Sequence, residues 1–339
     1  MFFAKQKSIL GVDIGTSYIK LAQISHGQNK ALETYGIVNI TGKIGTETAD
    51  ASIHDTAALL SNLMEQARVS TKRCVASLPN SSVFTSVIDM PVMTTKELES
   101  AMQFEAKKYV PLPFSEVNLS WSIISQDDQT KTLKVLLIAV PKQVKNNYIR
   151  LFELAGLELE IIEIEALALI RSLIIDASKN SVIIDIGAKA TGLNVIKGGL
   201  LQLTRNMNIG GDTITDRIAQ SLDVTPARAE QFKKDFGISE SDFLPEAIKP
   251  VLTTIKNEVR QLLSIYQSHN VRLDNIVMVG GGSQLPGVTK AFEDLGLPVA
   301  LGNPLGQLAY PQAGEALLKR FSLQLPIAIG LALRNENDK

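Results

Sequence analysis

The sequence predicts an α/β fold made of two similar halves, with a smaller α+β unit inserted in the first. Three observations point to it. Residues 8–23 read as an apolar strand, a tight turn and a second strand, with Asp13-Ile14-Gly15 entering the turn. Asp185-Ile186-Gly187 repeats that pattern near the middle of the chain, again between two apolar strands. Self-similarity at half the chain length points to internal duplication. Between the two turns, hairpin-like strand pairs with helices occupy about residues 75–158.

In chain order, Ile9, Leu10 and Val12 are strand formers, and Ile19, Leu21 and Ala22 begin the outgoing strand. Gly15 sits where the backbone must reverse. Tyr35–Ile40 reads as a third strand and Thr41–Thr48 as a loop. His54–Val69 reads as a helix, with Ala57, Leu60, Met64 and Ala67 at helical spacing. Val75–Leu78 and Val83–Ile88 open the inserted unit as strands. Thr94-Thr95-Lys96-Glu97 is a capping box for a helix to Tyr109, which Pro111 and Pro113 end. Leu119, Trp121 and Ile123 alternate along a strand, Asp127–Thr130 turns it back, and Leu133–Val140 returns. Pro141 opens a helix to Ala155, capped by Gly156. The strand Leu159–Ile164 then leads into the helix Glu165–Ile175. The second half continues with the strand Leu200–Arg205, Gly210-Gly211-Asp212 and helical stretches near Asp212–Phe236 and Glu246–Tyr266. Ile276–Val279 and three glycines follow, then an apolar helix around Ile327–Arg334.

Composition removes several functions. The chain has 339 residues, 45% hydrophobic and 20% charged, enough for sizeable cores. Its 34 basic and 35 acidic residues nearly cancel, so there is no electrostatic footprint for nucleic acid. Its single cysteine, Cys74, precludes an intrachain disulfide, fits a reducing compartment and reads as a small core residue. No window approaches the roughly 18 uncharged apolar residues of a membrane span. The apolar run after Phe2, Phe3, Lys5 and Lys7 is stopped by Asp13, too early for a signal peptide. The expectation is a soluble intracellular protein. His26, His54 and His269 have no ligand spacing, so no metal–histidine site is expected.

The chemistry gathers in the turns. Asp13, Thr16, Ser17 and Lys20 give the first turn a carboxylate, two hydroxyls and a cation. Hydroxyls, free N–H groups and a lysine suit phosphate oxygens, and a carboxylate at the entrance suits a hydrated Mg²⁺. Two such turns facing each other would surround one nucleotide. Val279-Gly280-Gly281-Gly282 reads as a strand, a turn bare of side chains and a helix from about Pro286, whose start adds positive potential. It fails the dinucleotide fingerprint at its last position, and no P-loop exists. Taken singly, the first turn is equally an ordinary solvated hairpin, and the glycines a tight turn alone.

Their order is more specific. The two Asp-Ile-Gly turns, Ile164-Glu165-Ala166-Leu167, Gly210-Gly211-Asp212 and Gly280-Gly281-Gly282 resemble the actin-like ATPase superfamily, which includes FtsA, the hexokinases and the heat-shock chaperone ATPases. The resemblance covers nearly the whole chain and is strongest to the PilM family of type IV pilus assembly proteins. The inserted unit resembles subdomain 1C of PilM and FtsA, and Pro326–Arg334 resembles the PilM ending. The resemblance implies a duplicated actin-like (ribonuclease H-like) ATPase fold. Its first lobe would be 1–74 with 159–178, its inserted subdomain 75–158 and its second lobe 179–339, with about 213–270 as a helical nucleotide-side subdomain.

The same resemblance implies ATP, or ADP, with Mg²⁺. Asp13, Gly15, Thr16, Ser17 and Lys20 would form the first phosphate loop and Asp185 with Gly187 the second, both Asp residues holding the metal through water. Lys20 would contact phosphate. Gly210, Gly211 and Asp212 would lie near the ribose. Glu230, Lys233 and Gly280-Gly281-Gly282-Ser283 would flank the adenosine, although by spacing alone Glu230 and Lys233 read as a solvated i, i+3 pair. Glu165 would position water and is the one catalytic candidate. The second turn continues Ala188-Lys189-Ala190-Thr191-Gly192, without the glycines, acid or histidine usual in catalytically active relatives. At most slow hydrolysis is therefore expected. The implied role is a cytoplasmic adaptor on the inner face of the inner membrane. It would bind the N-terminal cytoplasmic peptide of PilN beside the inserted unit and link it to other inner-membrane and motor components, with self-association left open. Two alternatives stand: an FtsA-like filament-forming cell-division protein and a small-molecule kinase of the same superfamily. The FtsA class uses a C-terminal amphipathic membrane helix, whereas Pro326–Arg334 is short and apolar all round.

Overall fold

The computed structural model describes residues 8–40, 50–174, 176–238 and 244–335. The first half opens with β1 (Ser8–Ile14), β2 (Tyr18–His26), β3 (Lys30–Asn39), α1 (Asp50–Gln66) and β4 (Arg73–Leu78). Next come β5 (Phe84–Pro91), α2 (Thr95–Glu105), β6 (Val117–Asp127), β7 (Thr132–Pro141), α3 (Lys142–Leu154), β8 (Glu158–Ile164) and α4 (Glu165–Leu173). The second half begins with β9 (Ser181–Ile186), β10 (Thr191–Lys197), β11 (Leu200–Met207), α5 (Gly211–Leu222), α6 (Pro226–Phe236) and α7 (Leu244–Ser268). It ends with β12 (Asn275–Val279), α8 (Val288–Ala291), β13 (Val299–Leu301), α9 (Glu315–Phe321) and α10 (Pro326–Ala332).

The expected duplication is visible in the sheets. The first has the order β3-β2-β1-β4-β8 and the second β11-β10-β9-β12-β13. In each, three antiparallel strands form a meander and two more strands run parallel to its first. The parallel strands need crossovers, which the helices supply. β1 and β9 are buried almost throughout, as central strands covered on both faces must be.

The inserted unit is a three-stranded sheet, β5-β7-β6, with α2 packed on it through Leu98 and Met102. The capping box stands at the start of α2: Thr94 N–H donates to the Glu97 carboxylate at 2.9 Å, and Glu97 N–H to Thr94 Oγ1 at 3.4 Å. The unit is smaller than expected. β4 lies between β1 and β8, parallel to both, so Val75–Leu78 belongs to the first sheet. α3 buries Leu151 and Phe152 with Leu10, Val12 and Leu60 in the core of the first lobe. A short apolar strand does not reveal which sheet it joins, because pairing is a long-range choice.

The C-terminal end also crosses between lobes. α10 is buried at every residue, as its apolar composition implies. It packs Ala328, Ile329 and Ala332 against Ala22, Ile24 and Leu32 of the first lobe, so the boundary expected to keep 179–339 together does not hold here. Two glycines make the close approach: a Cβ on Gly11 would lie 2.0 Å from the Ala328 carbonyl oxygen, and one on Gly330 1.9 Å from that of Ala168. Glu163 accepts from Arg171 at 2.8 Å and also from Arg334, tying the end of the chain to β8 and α4.

Smaller differences are local. The first helix spans Asp50–Gln66 rather than His54–Val69; it stops short of Val69 because Arg68 takes a left-handed φ of 54°. The loop expected at Thr41–Thr48, residue Ile175 at the end of the α4 reading and the start of the chain at Phe2–Lys7 lie outside the described residues. Cys74 is buried, as expected of a core residue. Among the described residues no helix is long and apolar enough to cross a membrane, and no three His, Cys, Asp or Glu side chains group to hold a metal.

Candidate functional site

The two Asp-Ile-Gly turns are structurally equivalent. Gly15 N–H donates to the Tyr18 carbonyl at 3.0 Å, and Gly187 N–H to the Ala190 carbonyl at 2.9 Å. In the ladders, Asp13 stands across from Lys20 and Asp185 across from Gly192. Both turns line one cleft of about 930 Å³, together with Glu165, the start of α5, α6 and the glycine turn after β12. That volume is of ligand-pocket size.

The inner end of the cleft is acidic and dry. Asp13 is only 1% exposed; its Oδ2 accepts from Lys20 Nζ at 3.0 Å and its Oδ1 from Ser77 Oγ at 3.2 Å. Burial works against the Lys20 ammonium, but Asp13, Asp185 and Glu165 outweigh it and hold its pKa above the ordinary lysine value. Glu165, at the start of α4, is pushed up to about 8, first by burial and then by Asp13 and Asp185. The Asn80 N–H donates to its carboxylate at 3.4 Å, a weaker opposing effect. Burial lifts Asp185 to about 6 against the pull of Lys20. Three carboxylates thus share one ammonium, and burial lifts two of them, Glu165 and Asp185, above the ordinary carboxylate range.

On the opposite wall, the first N–H groups of α5 are already used. Gly211 donates to the Gly187 carbonyl at 2.9 Å and Asp212 to that of Ala188 at 2.8 Å, fastening α5 to the second turn. Both residues still line the cleft; Gly210 does not. A Cβ on Gly210 would lie 2.5 Å from the Ala188 carbonyl oxygen, so its role in the fold is this close approach. Burial raises the Asp212 pKa, with Lys233 and Lys189 opposing. Glu230 and Lys233 are more than a solvated pair: they meet at 2.5 Å, and Lys233 also donates to Gly211 O at 3.0 Å and Thr215 Oγ1 at 2.7 Å. Burial pushes the Glu230 pKa up, but its bonds to Lys233 and Thr215 bring it below normal.

The three consecutive glycines have different reasons. A Cβ on Gly280 would meet Asp185 Oδ1 at 2.3 Å, and its φ is 84°; one on Gly282 would meet Ile186 Cγ2 at 2.2 Å. Gly281 has nothing nearer than Gln324 at 4.0 Å, and all three glycines line the cleft. Ser283 does not line the cleft: it is buried, and its hydroxyl donates to the Gly280 carbonyl at 2.7 Å, closing the turn.

Sequence reasoning missed Asn80, Asn194 and Asn206, which line the cleft around Gly192, and Lys319, Arg320 and Phe321, which line it from α9. Asn194 had a legible signal, a polar residue inside the apolar run Leu193-Asn194-Val195. The α9 residues had none, because only the fold brings them there.

With this geometry in view, comparison with known proteins is informative. The family described as "Type IV pilus assembly protein PilM" matches residues 11–336. The chain belongs to the PilM family. It is also similar to the solved PilM-PilN type IV pilus biogenesis complex, with 26% identity and a TM-score of 0.86, covering 97% of this chain and 99% of that one. Among curated proteins, FtsA of Streptococcus pneumoniae is 24% identical over 99% of this chain and 85% of its own length. EutJ of Carboxydothermus hydrogenoformans and MreB5 of Spiroplasma citri bound to AMPPNP share the fold, with TM-scores of 0.61 and 0.56, identities of 17% and 15%, and coverage of 98% and 96% of this chain and 91% and 95% of theirs. This PilM-family chain therefore has the two-lobed actin-like fold, and it is a pilus assembly protein of that type.

Proposed function

We propose that this chain binds ATP or ADP with Mg²⁺ in the cleft and works as a nucleotide-stabilised adaptor in type IV pilus assembly. One observation carries the first part: two equivalent turns bring Asp13, Asp185 and Lys20 together in a ligand-sized cleft that a bare glycine turn also lines. The donor set fits the group. Buried carboxylates in excess of cations suit a hydrated divalent metal, and Thr16, Ser17 and Lys20 suit phosphate oxygens. When bound, the metal would neutralise charge between Asp13 and Asp185; Gly211, Asp212, Glu230, Lys233 and Gly281 would hold the nucleoside. Glu165 is the candidate acceptor for a water proton, and without a second such group turnover is slow at most. A nucleotide touching both lobes favours the state in which they are close.

The likeness to the PilM-PilN complex supports the second part. The partner would be the N-terminal cytoplasmic peptide of a PilN-type membrane protein, received beside the inserted unit. That contact would hold the chain on the inner face of the inner membrane and connect it to motor components. The buried α10 is not available to lie on lipid, which favours a protein-mediated attachment. Calorimetric titration tests both parts. Mg-ATP and ADP are expected to bind, and the PilN-type peptide to bind with an affinity that rises with nucleotide. A folded chain that binds neither nucleotide nor peptide would sink the reading.

A further inference from the structure

Gly192 leaves a gap at the inner end of the cleft, and three amides surround it. A Cβ built on Gly192 would have Asn80 Nδ2 at 3.6 Å, Asn194 Nδ2 at 3.8 Å and Asn206 Oδ1 at 4.0 Å, all ordinary contacts. All four residues line the cleft. Asn194 is wholly buried, yet neither Oδ1 nor Nδ2 has a hydrogen-bond partner. Thr204, across from it on β11, has an unpartnered hydroxyl as well. A buried amide with neither end satisfied is destabilising, and an apolar residue of its size would pack as well without that cost. Packing therefore does not explain Asn194.

Its position does point to a ligand. Asp185 faces Gly192 across the ladder, and alternation along β10 puts Asn194 on the same side of the sheet, one step deeper. Asn80 sits in the turn between β4 and β5, and its N–H donates to Glu165. The three amides come from both lobes and meet beside the carboxylates Asp185 and Glu165.

We propose that Asn194, with Asn80 and Asn206, forms a neutral amide cradle for the terminal phosphate of a bound nucleoside triphosphate, directly or through water. This rests on the nucleotide-binding reading above. A fourth carboxylate here would repel phosphate oxygens, whereas an amide offers two donors to phosphate and an acceptor to water. A diphosphate leaves the cradle unused, so the cradle sets the preference for triphosphate over diphosphate.

The test is calorimetric binding of ADP and of AMPPNP, each with Mg²⁺, to the full chain and to its Asn194→Leu variant. AMPPNP affinity should fall at least about tenfold, the factor expected of one hydrogen bond to a charged oxygen. ADP affinity should stay within about twofold, as for a site the diphosphate does not reach. The nucleotide-free variant should unfold at higher denaturant concentration, since the unsatisfied amide is gone. Asn206→Ala, which removes an exposed side chain, should shift the same ratio in the same direction by a smaller factor. An equal loss for both nucleotides, or no loss, overturns the cradle while leaving nucleotide binding in place. If the unaltered chain binds neither nucleotide, the nucleotide reading falls and the cradle with it.

Discussion

Asp13 and Asp185 occupy the same point in two equivalent sheets. Each lies near the end of the first strand of a meander, and each precedes a turn closed by a glycine N–H. Across the ladder they part company: Asp13 faces the ammonium of Lys20, while Asp185 faces the bare backbone of Gly192. The first half therefore contains a satisfied, buried ion pair. The second contains a buried acid lifted to about 6 and an open space walled by amides. Duplication supplies the cleft and its two-sided symmetry; the five residues after each Asp-Ile-Gly, Thr16–Lys20 against Ala188–Gly192, all differ and supply the chemistry. A nucleotide lying between the turns would meet an ion pair on one side and a lone acid beside an amide-walled gap on the other.

The largest effect should come from breaking the charged half. Asp13→Ala is expected to weaken Mg-nucleotide binding by more than about a hundredfold and to destabilise the chain by about 2 kcal/mol, because Lys20 loses its bonded carboxylate and keeps only the attraction of Asp185 and Glu165. Asp185→Asn should also weaken Mg²⁺-dependent binding, yet at pH 8 it should stabilise the nucleotide-free protein, by about 1 kcal/mol, since burial disfavours the charged form it replaces. Titration calorimetry and urea unfolding of both variants would show whether the two acids differ this way; matching losses of stability would erase the contrast.

The glycine turn offers a second contrast. Gly280→Ala places its Cβ 2.3 Å from Asp185 Oδ1 at a φ of 84°. We expect a loss of about 2–3 kcal/mol in urea unfolding. Gly281→Ala meets nothing within 4 Å other than Gln324 at that limit and should change stability by less than about 1 kcal/mol. Any larger effect of Gly281→Ala should appear in nucleotide affinity instead.

A pH series sharpens the electrostatic half of the comparison. The folded state raises Glu165 from 4.5 to about 8 and Asp185 from 3.8 to about 6. Between the unfolded and folded values the native state holds more protons than the unfolded chain, so these groups make stability fall as pH rises from about 4.5 to 8. The slope in urea midpoint should flatten in Glu165→Gln and, over the lower part of the range, in Asp185→Asn. Mg²⁺ with nucleotide should release protons on binding at pH 7, measurable as a dependence of the binding heat on buffer.

Much of this was readable from residues alone. The Asp-Ile-Gly echo gave the duplication, because each copy keeps an apolar strand before and after its turn. The capping box at Thr94 and the all-apolar stretch at Pro326 gave a helix start and a buried helix, since both signals are local. Membership of sheets and lobes was not legible. β4 looked like the start of the inserted unit and α10 like part of the second lobe, because strand pairing and helix docking depend on residues far away in sequence. Gly11 and Gly330 could have hinted at close packing, but nothing in the chain says against which carbonyls. In the cleft, the carboxylates and glycines announced themselves by motif, whereas the asparagines stand in no motif and are brought together only by two strands and a turn.

The smallest expected effect bears most directly on the asymmetry of the two turns. Gly187 and Gly192 lie five residues apart in the same strand–turn–strand unit. A Cβ on Gly187 would come 2.9 Å from the Ala190 carbonyl oxygen, inside the turn itself, so Gly187→Ala must shift backbone and should cost about 1–2 kcal/mol. At Gly192 the nearest atom to a new Cβ is 3.6 Å away, and the residue has no left-handed φ. Gly192→Ala should therefore be neutral, or stabilising by up to about 1 kcal/mol through the lowered entropy of the unfolded chain. Urea unfolding of the nucleotide-free protein reads this directly. A cost as large as that of Gly187→Ala would mean the gap is needed for packing between the lobes. A neutral result would mean that the missing side chain across from Asp185 is space the fold does not require, as a gap reserved for a ligand predicts.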